Sequence, residues 1–210
     1  MEKDMIRETE PPDTGVGIEQ FHHPRAVCSG RRPSPLRESL MRGLSGTVLE
    51  LGAGDGVKFR LYPSEVREII AVEPDPGLCD TARQGYRDAV PVRVLSGSFD
   101  RLPLPDEAVD AVICSLALCS APRLDAALRE IRRVLRAGGR LRFYEHVRSV
   151  NPFTALTERL VSPLLTQSGG GCHPARDTVR SITAAGFQLD QVERFEVDRV
   201  AHVFGVARRQ

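Results

Sequence analysis

The chain has 210 residues, which is the length of a single domain of ordinary size. Hydrophobic residues make up 41% of it and charged residues 27%, which excludes a disordered chain and indicates a globular protein. The formal net charge is only +1, aromatic residues make up 5%, and Trp is absent. A nucleic-acid binder would show a basic excess and base-stacking aromatic residues, so we predict no nucleic-acid partner.

The cysteines and the apolar segments predict a compartment. The five cysteines are odd in number, irregularly spaced and without a Cys-x-x-Cys motif, which argues against a disulfide framework and a metal site. The first 13 residues are acidic and lack the apolar core of a signal peptide. The longest apolar stretch, 111–119, is shorter than the ~20 residues that a membrane span needs. We therefore expect a cytoplasmic protein with no membrane partner and no metal.

The N-terminal residues predict an arm rather than a packed layer. Residues 1–17 are polar and contain two prolines and two glycines, and residues 18–35 mix histidine, arginine and proline. This composition favours a flexible arm or lid over residues 1–35, ahead of a domain over residues 36–210. A short helix is predicted over 35–43, with Leu36, Leu40 and Met41 facing inward.

From residue 47 onward, strands and helices alternate. Strands are predicted over 47–51, 68–74, 92–97, 108–118 and 140–147, helices over 77–85, 122–140, 151–166 and 175–187, and a final hairpin over 189–197 and 200–208. This alternation predicts an α/β fold, with a mostly parallel seven-stranded sheet, helices on both faces and a C-terminal antiparallel hairpin. In such a sheet the ligand lies at the carboxyl ends of the strands.

Two of these elements depend on specific patterns. The apolar residues of the 122–140 helix recur at helical spacing from Leu124 to Leu135, and Gly138 is predicted to end the helix. Residues 108–118 are apolar nearly throughout, which is typical of a strand that is buried on both faces.

A glycine-rich turn, Gly52-Ala53-Gly54-Asp55-Gly56, follows the first predicted strand. Glycine has no Cβ, so the backbone of such a turn can approach a ligand closely. The spacing is GxGxG and not the GxGxxG of dinucleotide binders, which disfavours a nicotinamide dehydrogenase. The carboxylates of Asp55 and Glu50 would repel a pyrophosphate but suit a cation or an amino group. Glu73 ends the second strand 21 residues after Gly52, where a carboxylate can accept hydrogen bonds from two ribose hydroxyls.

Four segments of the chain together resemble a known family. They read VLELGAGDG, AVEPD, GSFDRLPLPDEAVDAVICSLALCS and IRRVLRAGGRLRFYEH, and the resemblance covers roughly residues 46–148. In this order and spacing the chain resembles the class I S-adenosylmethionine-dependent methyltransferases, which implies a Rossmann-like fold and S-adenosyl-L-methionine as the cofactor. The tail from GGGCHPARDT to the terminal hairpin resembles a branch of small bacterial methyltransferases, and that branch is similar to the mammalian thiol S-methyltransferases.

The resemblance also implies which residues hold the cofactor. In chain order they are Glu50, Gly52, Ala53, Gly54, Gly56, Glu73, Pro74, Ser98, Phe99, Ser115 and Leu116. The turn, oriented by Glu50, would lie beneath the amino-acid end of the cofactor, and Glu73 would hold the ribose hydroxyls. Pro74, Ser98 and Phe99 would lie beside the adenine. Ser115 and Leu116 would contact the cofactor after the fourth strand. The family usually carries an acidic residue where Ser98 stands.

The resemblance implies methyl transfer to the O, N or S atom of a small-molecule acceptor, and a thiol is one of the options. In-line displacement needs mainly proximity and orientation, and a base contributes when the acceptor must lose a proton. His146, directly after the fifth strand, is the candidate base, with Glu145 beside it as the second catalytic candidate. Because side chains alternate along a strand, only one of the two is expected to face the substrate. Cys172-His173 is expected to lie on a loop that closes the acceptor pocket.

Two other functions stay open from the sequence. One is a regulatory or partner subunit that binds S-adenosylmethionine without methyl transfer, which an intact turn beside a weak acceptor side would fit. The other is a nucleic-acid methyltransferase. It is disfavoured because amino-methylating members carry Asn/Asp-Pro-Pro-aromatic where this chain has Cys114-Ser115-Leu116-Ala117. The sequence makes no prediction of the oligomeric state.

Overall fold

The structure is a computed structural model, and it describes residues 7–8, 35–85, 90–149, 173, 176–197 and 200–210. Its strands are β1 (Arg7–Glu8), β2 (Gly46–Leu51), β3 (Val66–Glu73), β4 (Val92–Ser96), β5 (Val109–Ser115), β6 (Leu135–His146), β7 (Phe187–Val197) and β8 (Val200–Arg209). Its helices are α1 (Pro35–Met41), α2 (Pro76–Gly85), α3 (Leu124–Val134) and α4 (Thr178–Ala184), with 3-10 turns at Phe59–Leu61 and Leu118–Ser120.

The strands form one sheet in the order β1-β7-β8-β6-β5-β2-β3-β4. The pairs from β6 to β4 are parallel, and β8 runs antiparallel to both β6 and β7. All seven predicted strands are present, and the predicted α/β fold with its C-terminal hairpin is confirmed. The carboxyl ends of β2, β3, β5 and β6 therefore meet at one edge of the sheet.

A short eighth strand was not predicted. Arg7–Glu8 pairs in parallel with Glu193 and Arg194 of β7, because the outer edge of β7 presents backbone groups that otherwise lack a strand partner. The other residues of the predicted arm before Pro35, and the predicted helix over 151–166, lie outside the described residues. The arm over 1–35 stays a prediction. No helix in the described part of the chain is long and apolar enough to cross a membrane.

The sheet is covered on both faces, as predicted. Along β5, Val112 and Cys114 point into a core that contains α3 and α4, whereas Ala111 and Ile113 point into a core that contains α1 and α2. Successive residues of a strand face opposite sides, so a continuous apolar run needs helices on both faces. We call these two sides the α3 face and the α1 face.

Two predicted boundaries are wrong, for one physical reason. Helix α3 ends at Val134, and Leu135 adopts the extended conformation (φ −70°, ψ 137°) and begins β6. Strand β5 ends at Ser115, and the apolar residues after it form a loop and a 3-10 turn instead of a longer strand. Leu135 and Leu118 are fully buried in these conformations. Hydrophobicity reports burial, and a buried residue can belong to a helix, a strand or a loop.

Candidate active site

The glycine turn after β2 has left-handed backbone at three positions, with φ of +66° at Gly52, +63° at Gly54 and +78° at Gly56. A Cβ on Gly52 would lie 3.0 Å from the Cβ of Ala117, and one on Gly56 would lie 2.5 Å from the Phe59 ring. Packing therefore requires these two glycines. A Cβ on Gly54 would meet no atom of the described residues within 4 Å, so this part of the chain leaves the turn open to a ligand there.

Glu73, at the end of β3, is fully buried and holds the turn in place. Its Oε2 accepts a hydrogen bond from the Gly54 N–H at 2.9 Å, and its Oε1 accepts one from the Asp75 N–H at 2.9 Å. A carboxylate oxygen has a second lone pair, so Glu73 retains capacity to accept bonds from a ligand's hydroxyls. The sequence placed this carboxylate at the site but did not reveal its bond to the turn. Pro74 follows it and is half-buried.

Glu50 is fully buried beneath the turn, on the α1 face. The Tyr62 hydroxyl donates a hydrogen bond to its Oε2 at 2.8 Å, and Lys58 Nζ lies 2.6 Å from its Oε1 as an ion pair rather than a directed hydrogen bond. Burial, followed by the Glu50 charge, raises the pKa of Tyr62 well above its ordinary value. Sequence reasoning named Glu50 but missed both partners, because no motif predicts a buried lysine.

Ser98 and Phe99 lie in different surroundings. Phe99 is buried in the core of the α3 face, and its ring lies 3.4 Å from where a Cβ of Gly52 would be. Ser98 is exposed, and its hydroxyl donates to Asp100, which also accepts a hydrogen bond from Arg123 Nε at 2.8 Å. These hydrogen bonds, that from Ser98 first, lower the pKa of Asp100. The structure thus brings Phe99 against the turn and leaves Ser98 outside the core.

The loop after β5 is strained and incompletely satisfied. Ser115 is buried, and its Oγ has no hydrogen-bond partner within the described part of the chain. Leu116 has φ of +56°, which costs a non-glycine residue about 1–3 kcal/mol. Its N–H donates to the Tyr144 carbonyl at 2.8 Å. Strain of this kind is typical of functional sites.

Glu145 and His146 point to opposite faces of β6, as their alternation predicts. Glu145 is fully buried on the α3 face, and its carboxylate accepts hydrogen bonds from the N–H groups of Ala117 (3.1 Å), Leu118 (2.9 Å) and Cys119 (2.9 Å). Burial raises its pKa, and these bonds oppose that shift. Glu145 therefore anchors the loop after β5, whereas His146 is half-buried on the α1 face.

His146 belongs to a cluster of four rings. We call it the imidazole cluster, and its members are His146, His202, Tyr144 and Phe195. His202 lies opposite His146 across β6 and β8, with ring centroids 4.6 Å apart in an edge-on arrangement. The rings of Tyr144 and Phe195 stack on His202 at 5.2 Å and 5.9 Å. Sequence reasoning missed all but His146, because the cluster depends on the register of three strands.

His202 is held in one tautomer. Its Nδ1 lies 2.8 Å from the Val200 carbonyl oxygen. A carbonyl only accepts hydrogen bonds, so Nδ1 carries the proton and Nε2 presents a lone pair. Burial, and to a lesser degree the neighbouring His146, lower the pKa of His202 to about 4.

His173 lies against the same loop as Glu145. The backbone N–H of His173 donates to the Cys119 carbonyl at 2.8 Å, and the Arg176 guanidinium donates to the Leu118 carbonyl at 3.3 Å. Cys172 lies outside the described residues, so the closing loop predicted at Cys172-His173 stays a prediction. Among the described residues, no three His, Cys, Asp or Glu side chains gather as a metal site.

Comparisons with known proteins identify the family of the chain. Residues 49–143 match the family described as "Methyltransferase domain". Thiol S-methyltransferase TMT1B from Rattus norvegicus is 33% identical over 152 residues, which are 70% of this chain and 62% of the relative. Its Homo sapiens counterpart is 32% identical over 166 residues, which are 74% of this chain and 68% of that relative. The chain thus spans less than two thirds of the length of the rat protein, and slightly more than two thirds of the length of the human protein.

A solved S-adenosylmethionine-dependent methyltransferase from Mesorhizobium loti has a TM-score of 0.65 at 18% identity, over 83% of this chain and 96% of that one. At this identity the likeness concerns the fold. The chain belongs to the class I S-adenosylmethionine-dependent methyltransferases. Within that family, it is similar to the thiol S-methyltransferases TMT1B.

S-adenosyl-L-methionine is accordingly the cofactor, and the residues fit it. The turn is open over Gly54, Glu73 retains lone pairs beside it, and the buried Ser115 hydroxyl lacks a partner among the described residues. The roles of the individual cofactor residues predicted above remain predictions.

Proposed function

We propose that the protein methylates a small-molecule acceptor, with a thiol as the preferred class, and that His146 removes the acceptor's proton. One observation carries the proposal: the imidazole cluster lies at the same edge of the sheet as the glycine turn. Ser115 of β5 is in register with Tyr144 of β6, and His146 follows two residues later on the same face. Neighbouring strands lie ~4.8 Å apart, so His146 lies roughly 10 Å from β2, two strands away.

The chemistry divides between cofactor and chain. S-adenosyl-L-methionine supplies, when bound, a methyl group activated by its sulfonium. The chain orients the acceptor, excludes water and takes the proton, which passes from the acceptor's S–H to the imidazole of His146. The stacked rings of Tyr144, His202 and Phe195 offer this acceptor an uncharged wall.

A thiol suits this site better than an alcohol. A thiol has a pKa of about 8.5, so it gives up its proton to an imidazole far more readily than an alcohol does. The thiolate that forms is also a stronger nucleophile than the thiol. The similarity to TMT1B supports the same acceptor class. A cytoplasmic location and the absence of nucleic-acid partners stay predictions.

The test is a screen of thiol, hydroxyl and amine acceptors, with S-adenosylhomocysteine formation as the measurement. We expect turnover with at least one neutral thiol. We also expect His146→Ala to lower turnover ~100-fold, with cofactor affinity unchanged and partial rescue by added imidazole. Full activity of His146→Ala would remove it as the base. Tight cofactor binding with no turnover on any acceptor would instead favour a subunit that binds S-adenosylmethionine without transferring its methyl group.

A further inference from the structure

A buried lysine, Lys58, lies beneath the glycine turn and has one partner among the residues that the structure describes. Lys58 is only 5% exposed, and lysine is almost never buried to this degree unless it is paired. Its Nζ carries three N–H donors, and the only partner within the described residues is Oε1 of Glu50, at 2.6 Å. The other Glu50 oxygen accepts a hydrogen bond from the Tyr62 hydroxyl.

The position of this pair ties it to the turn. Glu50 precedes Gly52 by two residues and Lys58 follows Gly56 by two, so the ion pair joins the start of the turn to its end. Lys58 also sits directly before the 3-10 turn Phe59–Leu61, whose Phe59 ring packs under Gly56. The open position at Gly54 belongs to the same turn.

We propose that Lys58 binds the α-carboxylate of the cofactor, with the Glu50–Lys58 pair as the charge complement of its amino-acid end. That end is a zwitterion, with one ammonium and one carboxylate group, and the pair beneath the turn carries one charge of each sign. The α-carboxylate would give the Lys58 ammonium a second acceptor besides Glu50, which the described residues do not provide. The cofactor is recognised by charge at this end and by Glu73 beside it.

This inference requires cofactor binding alone, so it can fail or hold independently of the proposed acceptor. The experiment is calorimetry with two ligands, S-adenosylmethionine and its decarboxylated form, which lacks only the α-carboxylate. We expect the parent protein to bind the carboxylate-bearing ligand about 10- to 100-fold more tightly, as charge-assisted hydrogen bonds allow. In Lys58→Met this preference is expected to vanish.

The ratio of the two dissociation constants separates recognition from general damage to the turn. If Lys58 only neutralises Glu50, Lys58→Met weakens the binding of both ligands equally and the preference persists, which overturns the proposal. A parent protein that binds the two ligands equally well also overturns it. Arg60→Met is the control, because it removes an exposed cation two residues away and should keep the preference. Should the lone Glu50 charge unfold Lys58→Met, the double variant Glu50→Gln/Lys58→Met removes both charges, and its ratio is interpreted in the same way.

Discussion

Replacing Glu145 tests whether this carboxylate positions the loop after β5 or takes part in the chemistry. In Glu145→Gln, the amide oxygen can still accept from Ala117 and Leu118, but the NH2 group then faces the Cys119 N–H. One buried donor loses its acceptor, which costs about 1–3 kcal/mol of unfolding free energy. Glu145→Ala leaves all three N–H groups without an acceptor, so at roughly 1 kcal/mol or more each we expect a loss of at least about 3 kcal/mol.

The assay is urea unfolding of the two variants, combined with turnover measured as S-adenosylhomocysteine. Glu196→Gln, an exposed carboxylate of β7, is the matched control and should change neither quantity. A cost below about 1 kcal/mol for Glu145→Ala would refute the role of Glu145 as the loop's anchor, because three buried donors cannot lose their acceptor at so small a cost. A Glu145→Gln protein of parental stability with abolished turnover would return Glu145 to the catalytic role predicted from the sequence.

Two further predictions concern the turn and the imidazole cluster. Gly54→Val places a side chain on the open side of the turn at φ of +63°, so we expect cofactor affinity to fall more than ~10-fold by calorimetry, and unchanged affinity would contradict the assigned site. The pKa of His202 is lowered to about 4, so its contribution to stability is present above the unfolded value of about 6.5 and is lost as the pH falls toward 4. His202→Phe keeps the ring stack and should abolish this part of the acid sensitivity, up to about 3 kcal/mol, in unfolding measured between pH 7 and pH 4; an identical pH profile for the variant would exclude His202 as its source.

The sequence predicted β2, β3 and β4 well because each is short, rich in apolar residues and bounded by turn residues. It failed where an apolar residue leaves its element. Leu135 completes the helical spacing of α3 but begins β6, and Leu116 continues the apolar run of β5 but turns into the left-handed region. In both cases the tertiary structure buries the residue in a different conformation from the one that the local pattern favours.

The cofactor side of the site and the imidazole cluster also differ in how far the sequence could predict them. Candidate residues for the cofactor side could be named from the sequence because the glycines and Glu50 lie within seven residues of one another in the chain, and Glu73 ends the next strand. The imidazole cluster could not, because it joins three strands whose relative register is set by long-range pairing. A register shift of one residue would have turned His202 to the other face.

Length, composition and charge predicted one globular domain without a nucleic-acid partner, and the order of strands, helices and glycines indicated the fold and the family. Only the tertiary structure decided how the charged and aromatic side chains are used. It brought the Glu145 carboxylate to the loop after β5, Lys58 to Glu50, and His202 to His146. The physical reason is that local patterns record which residues are buried, whereas the partners of a buried charge or ring come from distant parts of the chain.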